Sequence, residues 1–328
     1  YNAGLQVGDS ILEIDGQSTT RLSRPDAVRL IRGPKGESVV FLIARADIDE
    51  PLNIVVQRDA IPVPSIYGDT RNENGSWNFV LEDEPRIGYI RLLQFGKRST
   101  EELRESVQAL NGKVDAFILD LRYNPGGLLD AATDISDMFI GREVLIVQTR
   151  NRNEEVISRR YATSKTYLDP RIPMVVIVNE YSASASEILA ACLQDHSRAV
   201  IVGKQTWGKG TVQDLITLEK DRSVLRLTTA SYWRPSGKNI DRTVPVASQA
   251  EDSKQYGVSP DPGFEVLLTN DEMTEIGIAR NNRDQAILKS DQPRLQPDQP
   301  PWLEVDLPLK RAVDHLQSQL NSRSSALP

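Results

Sequence analysis

The chain has few of the residues on which disulfide, metal and imidazole chemistry depends. Its 328 residues include one cysteine, Cys192, which excludes an internal disulfide and a cysteine-rich metal site. The two histidines, His196 and His315, lie far apart in the sequence. A catalytic zinc site built on several imidazoles is therefore disfavoured.

Long apolar runs and basic stripes are also missing. No apolar run approaches the roughly 18–20 residues of a membrane span. The net charge is -7, and the scattered Lys and Arg residues lack the clustering typical of a nucleic-acid-binding surface. The sequence begins with Tyr1 instead of Met and shows no signal-peptide pattern. We interpret it as a fragment or processed form from which any targeting segment has been lost.

The composition is that of a globular protein, with 39% hydrophobic and 26% charged residues. The length suffices for two or three domains. Strands and helices alternate through the middle of the chain, which predicts a mostly parallel α/β core. The predicted organisation is a first unit over 1–58, a polar linker over 59–75, an α/β core over 76–246, and a C-terminal extension over 247–328.

Local patterns predict several elements of the core and the extension. The apolar run Asp115–Leu121 is typical of a strand buried on both faces. Ser99 and Glu102 fit a capping box at the start of a helix. In the extension, 291–301 is rich in proline and predicts a linker. Apolar residues at helical spacing predict a closing helix over 309–320.

Ser184 lies between a predicted strand, Met174–Val178, and a predicted helix, Ile188–Leu193. A strand-to-helix turn suits a nucleophile, because the free N–H groups and the positive helix end stabilise a developing oxyanion. The alternative is a plain helix cap, since Ser184 and Glu187 fit the S-x-x-E capping box. The absence of a G-x-S-x-G elbow disfavours an α/β-hydrolase.

A serine nucleophile needs a base, and the sequence offers two candidates. His196 follows Ser184 by twelve residues, about 18 Å along a helix, so we interpret it as a helix-end residue. Lys209 lies between Gly208 and Gly210, which permit a tight turn and close approach to another segment. A lysine acts as a base where burial or nearby positive charge favours its neutral form. The alternative for Lys209 is an ordinary surface turn.

Two further features extend this hypothesis. Gln213 could orient the lysine through its side-chain carbonyl, although a fully extended segment would separate their Cα atoms by about 13 Å. The alternative for Gln213 is an outward-facing strand residue. An oxyanion hole needs backbone N–H donors, which the Ala185 amide and the Gly126-Gly127 turn could provide.

Taken in order, these motifs resemble those of the carboxy-terminal processing peptidases, also called tail-specific proteases. The separation of 25 residues between the serine and the lysine is also the one that this family shows. The matching segments are Asp120–Gly127, Ser182–Ile188, Gln194–Asp195, Gly203, Thr206, Gly208–Gly210, Val212–Gln213, Tyr232, Pro235–Gly237 and Pro260–Asp261.

The resemblance implies that Ser184 is the nucleophile, Lys209 the general base and Gln213 the residue that orients it. It also implies an acyl-enzyme intermediate and no metal or organic cofactor. The function implied is a serine endopeptidase that cleaves proteins or peptides near accessible C-terminal ends.

The resemblance also implies an oxyanion hole and two acidic positions. The oxyanion donors would be the amides of Gly127 and Ala185. The acidic positions are Glu187 and Asp195, which we interpret as supporting residues. A carboxylate in contact with the lysine ammonium would favour its charged form, which is the wrong direction for a base.

The implied fold is a crotonase- or ClpP-like α/β peptidase core with an N-terminal PDZ domain and a C-terminal helical extension. The PDZ resemblance is carried by Ala3–Leu5, Gly8–Asp9, Ile14–Gly16 and Ala27–Pro34. PDZ domains bind chain ends by β-augmentation. In PDZ domains of this kind the carboxylate-binding loop precedes the Ala-Gly-Leu motif and would lie before Tyr1. We therefore expect a truncated PDZ domain over 1–58 with an incomplete groove.

Two alternatives to the peptidase hypothesis stay open. One is a catalytically silent scaffold that binds peptides through its PDZ domain. The other is a Ser–His–Asp hydrolase that uses His196 and Asp195. The family resemblance implies an extracytoplasmic location, while no nucleic-acid partner is expected and the sequence does not indicate an oligomeric state.

Overall fold

The structure is a computed structural model that forms two compact units, Tyr1–Val63 and Pro64–Pro328. No helix among its described residues is both long and apolar enough to cross a membrane. The described residues are 3–6, 8–45, 48–59, 64–72, 74–163, 166–218, 223–243, 256–285 and 301–325.

The described part of the first unit is a four-stranded antiparallel sheet in the order β2-β1-β3-β4, with one α-helix and a short 3-10 helix, Thr19–Arg21. Ser23 caps the helix and Pro25 occupies its first turn, as helix starts favour. Apolar residues of β1 and β3 form a small core that includes Ile14, Phe41 and Ile43. The elements are β1 (Ser10–Ile14), β2 (Gln17–Ser18), α1 (Arg24–Ile31), β3 (Ser38–Arg45) and β4 (Ile48–Gln57).

The second unit alternates strands and helices as the sequence predicts. Its elements are β5 (Ile66–Tyr67), β6 (Thr70–Arg71), β7 (Trp77–Asn78), β8 (Ile87–Leu92), α2 (Ser99–Leu110), β9 (Ala116–Asp120), α3 (Leu129–Asp137), β10 (Leu145–Arg150), β11 (Val156–Tyr161), β12 (Met174–Val178), α4 (Ala185–Asp195), β13 (Val200–Gly203), β14 (Thr211–Leu218), β15 (Ser223–Trp233), α5 (Asn270–Gln285), α6 (Trp302–Val305) and α7 (Leu307–Ser325).

The central sheet has the order β13-β12-β9-β8-β5. Its four strands β8, β9, β12 and β13 are parallel, and β5 pairs antiparallel with β8 at one edge. Strands β9 and β12 are buried at every position, which confirms the predicted α/β core. Because β5 and β6 lie in the segment 59–75, part of the predicted linker is sheet, where Ile66 pairs with Leu92.

Helices cover both faces of this sheet. Successive strand residues point to opposite sides, and in β9 and β12 the residues on both sides are buried. On β9, Phe117 and Leu119 pack with helices α2, α3 and α4. Their neighbour Ile118 packs on the other face with α7, through residues such as Val313 and Leu316. The predicted closing helix over 309–320 is confirmed within α7. The predicted linker 291–301 lies outside the described residues, apart from Pro301.

The start of α2 differs from the sequence prediction. Its N-cap is Arg98, without a side-chain cap, and Ser99 is the first helical residue. The Ser99 hydroxyl accepts the Gly96 N–H at 2.7 Å, while the Glu102 carboxylate accepts the Ser65 N–H at 2.6 Å. The predicted capping box was therefore wrong, because the Ser99 hydroxyl binds the turn just before the helix and the Glu102 carboxylate binds the distant Ser65.

A second sheet, in the order β11-β10-β15-β14, is antiparallel. Its strands β14 and β15 form a long hairpin whose described residues from 213 to 227 are largely exposed. This hairpin begins two residues after Lys209, so its base borders the lysine loop.

Buried charges fasten the C-terminal helices to the carboxyl end of β9. Arg122 donates to Asp120 at 2.6 Å and to Asp306 at 2.7 Å, and the Asp306 side chain is fully buried. Burial works to raise the pKa of Asp120, but Arg122 overcomes this effect and holds that pKa below its usual value. The C-terminal helices and the loop that follows β9 therefore share one ion network.

We expect Asp306→Asn to lower the free energy of unfolding by about 3 kcal/mol, because it leaves Arg122 with an uncompensated share of buried charge. Asparagine can still accept the Leu309 N–H that Asp306 accepts at the start of α7, so the loss reports the charge. Urea unfolding provides the measurement. The control is Asp314→Asn, which removes an exposed pair with Lys310 and should cost about 0.5 kcal/mol or less; equal losses would contradict the prediction.

Candidate active site

Ser184 occupies the turn between β12 and α4, in an unusual backbone conformation. Its φ is 57° and its ψ is -113°, outside the regions that a non-glycine residue normally adopts. An ordinary helix N-cap is extended. Such strain costs on the order of 1–3 kcal/mol and clusters at active sites, where the surroundings hold it in place. The conformation of Ser184 therefore differs from that of a plain cap.

One buried carboxylate holds this turn. Glu187 is fully buried, and its Oε2 accepts the N–H groups of Ser184 and Lys209, both at 2.8 Å. The two nitrogens share one oxygen, so they cannot lie farther apart than twice that distance. The structure thus brings the predicted serine and lysine segments together. Glu187 reaches Lys209 through its backbone, and the lysine side chain is exposed.

The other oxygen of Glu187 holds the same loop. Its Oε1 accepts from the Thr206 hydroxyl at 2.5 Å and from the Gly208 N–H at 2.6 Å. Burial raises the pKa of Glu187 above its usual value, against the opposing effect of the hydrogen bonds from Thr206, Gly208, Lys209 and Ser184. With two donors on each oxygen, the carboxylate meets the requirement that a buried polar group be hydrogen-bonded.

Glycine is required in the lysine loop, as the sequence predicts. Gly208 has a φ of +80°, and a Cβ built there would lie 2.5 Å from the Tyr256 ring. At Gly210 a Cβ would lie 2.2 Å from the Asp241 amide nitrogen. Both distances are closer than a real Cβ atom tolerates, so the chain on either side of Lys209 needs glycine.

Two amides near Ser184 suit an oxyanion hole. The Gly126 N–H is committed to the Asn124 side chain at 2.9 Å. The N–H groups of Gly127 and Ala185, in contrast, have no acceptor among the residues that the structure describes. A Cβ on Gly126 would lie 2.9 Å from both the Ala185 nitrogen and the Ser184 Cβ, so the glycine turn lies against Ser184.

Serine hydroxyls join the serine turn to the glycine turn. Ser182 donates to the Leu121 carbonyl at 2.8 Å, and Ser186 donates to the Asn124 carbonyl at 2.9 Å. The Ala183 N–H also donates to the Asn124 carbonyl, at 3.0 Å. These three hydrogen bonds therefore hold the two turns together.

Asp195 and His196 lie at the opposite end of α4 from Ser184. Eleven residues of helix place Asp195 about 16 Å away along the axis. Its carboxylate pairs with Arg234 at 2.6 Å and accepts the Ser236 N–H at 2.9 Å. The His196 Nε2 lies 2.7 Å from the Leu145 carbonyl oxygen. These contacts fasten helix α4 to the second sheet, and they do not assemble a Ser–His–Asp triad.

Gln213 is an exposed residue of β14, next to a break in register between Val212 and Gln213. Within the described part of the chain its side chain has no hydrogen-bond partner. The contact with Lys209 that the sequence hypothesis requires is therefore not formed in this conformation.

Sequence reasoning missed the role of Thr206. Its hydroxyl donates to Glu187 and accepts the Val258 N–H at 2.8 Å, so it joins the lysine loop to the segment after residue 256. Its position next to the glycine-flanked lysine could have marked Thr206 as part of the site. No local pattern shows its contact with Val258, which lies 52 residues away.

The chain matches known families over most of its length. The model of peptidase family S41 matches residues 86–261, which contain every residue of the candidate site. A PDZ domain model matches residues 1–45, within the first unit. The chain belongs to peptidase family S41.

Its relatives are named as carboxy-terminal processing enzymes. The chain is 39% identical over 243 residues to the carboxy-terminal-processing protease of Bartonella bacilliformis, covering 73% of this chain and 52% of that protein. It is 36% identical over 241 residues to the carboxyl-terminal-processing protease of Picosynechococcus, covering 73% and 55%. It thus spans about half the length of these curated relatives. The family resemblance drawn from the motifs is confirmed.

A solved structure shares the fold. The photosystem II D1 C-terminal processing protease superposes with a TM-score of 0.52 at 24% identity, covering 90% of this chain and 71% of that one. This similarity confirms the predicted architecture of an α/β peptidase core with a C-terminal helical segment.

We expect Glu187→Gln to lower kcat by at least about 10²-fold, because a displacement of about 1 Å in a catalytic group has a cost of that size. The glutamine NH2 group would face two of the four donors that Glu187 now accepts, so the loops carrying Ser184 and Lys209 would separate. Steady-state kinetics on an unfolded protein substrate provide the measurement. Glu180→Gln, which removes the pair with Lys204, is the control and should stay within a few-fold of wild type.

Glu187 also predicts a pH dependence of stability. Its pKa in the folded state is raised above the usual 4.5, so the folded chain holds this proton more tightly than the unfolded chain. The contribution of Glu187 to stability therefore falls as pH rises from about 4.5 through the raised pKa, by at most about 1.4 kcal/mol per pH unit. The difference in unfolding free energy between wild type and Glu187→Gln, measured by urea titration across this range, should fall with rising pH. A difference that grows would contradict the assignment.

Proposed function

We propose that this protein is a serine endopeptidase that uses a Ser184–Lys209 dyad and cleaves proteins near their C-terminal ends. The observation that carries the proposal is the Glu187 carboxylate, which accepts the backbone N–H groups of both residues at 2.8 Å. Family membership supports the same reaction class.

In this mechanism the Lys209 amine takes the proton of the Ser184 hydroxyl as the oxygen attacks the scissile carbonyl. The N–H groups of Gly127 and Ala185 stabilise the oxyanion. The tetrahedral intermediate collapses to an acyl-enzyme, and the amine leaves with a proton from Lys209. Lys209 then activates a water molecule that hydrolyses the ester and restores Ser184.

Gln213 is assigned the role of orienting Lys209. The β14 segment that carries it starts directly after Gly210, where glycine lets the chain turn. Since Gln213 is exposed and makes no side-chain hydrogen bond within the described residues, we infer that the contact forms in a conformation with substrate bound. Catalytic hydrogen bonds often tighten only at that stage.

The preference for C-terminal ends is supported by two observations. The relatives from Bartonella bacilliformis and Picosynechococcus carry carboxy-terminal processing in their names. The match to a PDZ domain model adds a module that recognises chain ends. An extracytoplasmic location stays a prediction.

Ser184→Ala and Lys209→Ala should each lower kcat by at least about 10³-fold, because each removes a member of the group that forms the acyl-enzyme. Gln213→Ala should lower it less, by up to about 10²-fold, through misorientation of the lysine. Hydrolysis of a fluorescently labelled unfolded protein provides the measurement.

The control is His196→Ala, which removes only the bond to the Leu145 carbonyl and should leave kcat within a few-fold of wild type. A collapse in this variant would support the Ser–His–Asp alternative. Proteolysis that survives in Ser184→Ala would overturn the nucleophile. An inactive wild-type chain that still binds peptides would support the scaffold.

A further inference from the structure

Two exposed tyrosines stack against each other beside the candidate active site. Tyr123 and Tyr181 are 54% and 50% exposed. Their ring centroids lie 5.4 Å apart, with 16° between the ring planes. A single exposed ring needs no explanation. Two rings that stack from different loops, in contrast, form a flat and rigid apolar surface, here called the tyrosine shelf.

The backbone beneath the tyrosine shelf is held by one side chain. The Oδ1 atom of Asn179, a buried residue, accepts the N–H of Tyr123 at 3.0 Å and the N–H of Tyr181 at 3.2 Å. Asn179 thus fixes the spacing between the two loops. The shelf is therefore ordered by the same turns that carry the candidate catalytic groups.

The backbone of Tyr123 is in a conformation that is unfavourable for a residue with a large side chain. Its φ is +61°, a region that glycine or asparagine adopts easily and that is strained for a bulky residue. The ring does not offset this cost by burial in the core, because more than half of it is exposed. A strained backbone that presents an exposed aromatic ring beside an active site points to ligand contact.

The tyrosine shelf lies within reach of an extended substrate. Tyr181 precedes Ser184 by three residues, and Tyr123 precedes Gly126 by three. Three residues of extended chain span at most about 11 Å, so each tyrosine backbone lies within that distance of the nucleophile turn or the glycine turn. An extended peptide with its scissile bond at Ser184 covers the same distance with about three residues.

The surroundings of the tyrosine shelf favour an apolar ligand. The nearby charges of Glu180 and Lys204 are paired with each other at 2.9 Å. The cleft that opens beside Tyr123 is lined partly by apolar residues, among them Leu268 and Met273, and partly by the polar residues Arg122, Asn179, Glu180 and Lys204. The charged residues that line this cleft already have ion-pair partners within the described part of the chain, whereas an aliphatic or aromatic side chain would bury apolar surface against the rings.

We propose that the tyrosine shelf is a substrate subsite that takes an aliphatic or aromatic side chain two or three residues from the scissile bond. This proposal rests on the proposed peptidase function and adds a determinant of cleavage preference to it. Tyr123 and Tyr181 act by binding substrate, so their loss should change which sites are cleaved more than it changes the chemical step.

The test uses the full chain and unfolded β-casein, with cleavage sites mapped by mass spectrometry over time. Wild type should favour sites with Leu, Ile, Val, Phe or Tyr at one position two or three residues from the scissile bond. The variant Tyr123→Asn/Tyr181→Ser removes both rings, and asparagine tolerates the positive φ. Its rate at those favoured sites should fall about 10-fold relative to the other sites, the size of effect that loss of an apolar contact has on specificity.

Two further variants separate the shelf from general damage. Tyr123→Phe/Tyr181→Phe keeps the rings and should keep the preference. Tyr161→Ser changes an exposed tyrosine of β11 and should leave both preference and rate unchanged. Circular dichroism melting checks folding, and the single variant Tyr181→Ser, which leaves the strained position intact, should show a partial loss if the double variant unfolds.

Ser184-dependent cleavage with an unchanged preference in Tyr123→Asn/Tyr181→Ser would overturn the subsite and leave the proposed function standing. Loss of preference in the double phenylalanine variant would assign the effect to the hydroxyl groups and overturn an apolar subsite. Absence of any Ser184-dependent cleavage by wild type would overturn the proposed function, and the subsite with it.

Discussion

The candidate active site depends on how one buried carboxylate is satisfied. Glu187 lies in the first turn of α4 and is fully buried, so it needs hydrogen-bond donors. It finds them on the serine turn and on the loop from Thr206 to Lys209. Removing any of these segments would leave the carboxylate partly unsatisfied. The requirement to satisfy it therefore also fixes the distance between Ser184 and Lys209.

This arrangement resolves the two interpretations of the S-x-x-E motif. Glu187 does accept the Ser184 N–H, as in a capping box. The same oxygen also accepts the Lys209 N–H, and Ser184 has a strained conformation that a cap does not need. One carboxylate oxygen thus caps the helix and joins the two segments that carry the proposed catalytic residues, so the structural and functional interpretations are not exclusive.

The central sheet explains why these segments meet. Parallel strands place their carboxyl ends at one edge, where α/β proteins bind ligands. The loops that follow β9, β12 and β13 carry the glycine turn, the serine turn and the lysine loop. Ion pairs of Arg122 with Asp120 and Asp306 extend this edge to the C-terminal helices. The C-terminal extension is therefore a physical support of the site.

Sequence patterns succeeded where the cause of a structure is local. Continuous apolar residues marked strands β9 and β12, and apolar spacing marked helix α7, because burial on defined faces imposes that periodicity. The tight turn around Lys209 was also predicted correctly, because glycine itself marks positions where the backbone turns sharply or approaches another segment closely. The pattern failed at Ser99 and Glu102, whose side chains bind Gly96 and Ser65 instead of forming the expected box.

The sequence by itself determined the class of the core and the identities of Ser184, Lys209, Gly127 and Ala185 as candidates, because residue type and order carry that information. Only the tertiary structure decided that Glu187 connects the serine and lysine segments, that Thr206 supports it, and that Tyr123 and Tyr181 stack beside the turn that carries Ser184. These contacts join residues up to 58 positions apart. Their partners are set by sheet topology and burial, and no local pattern records them.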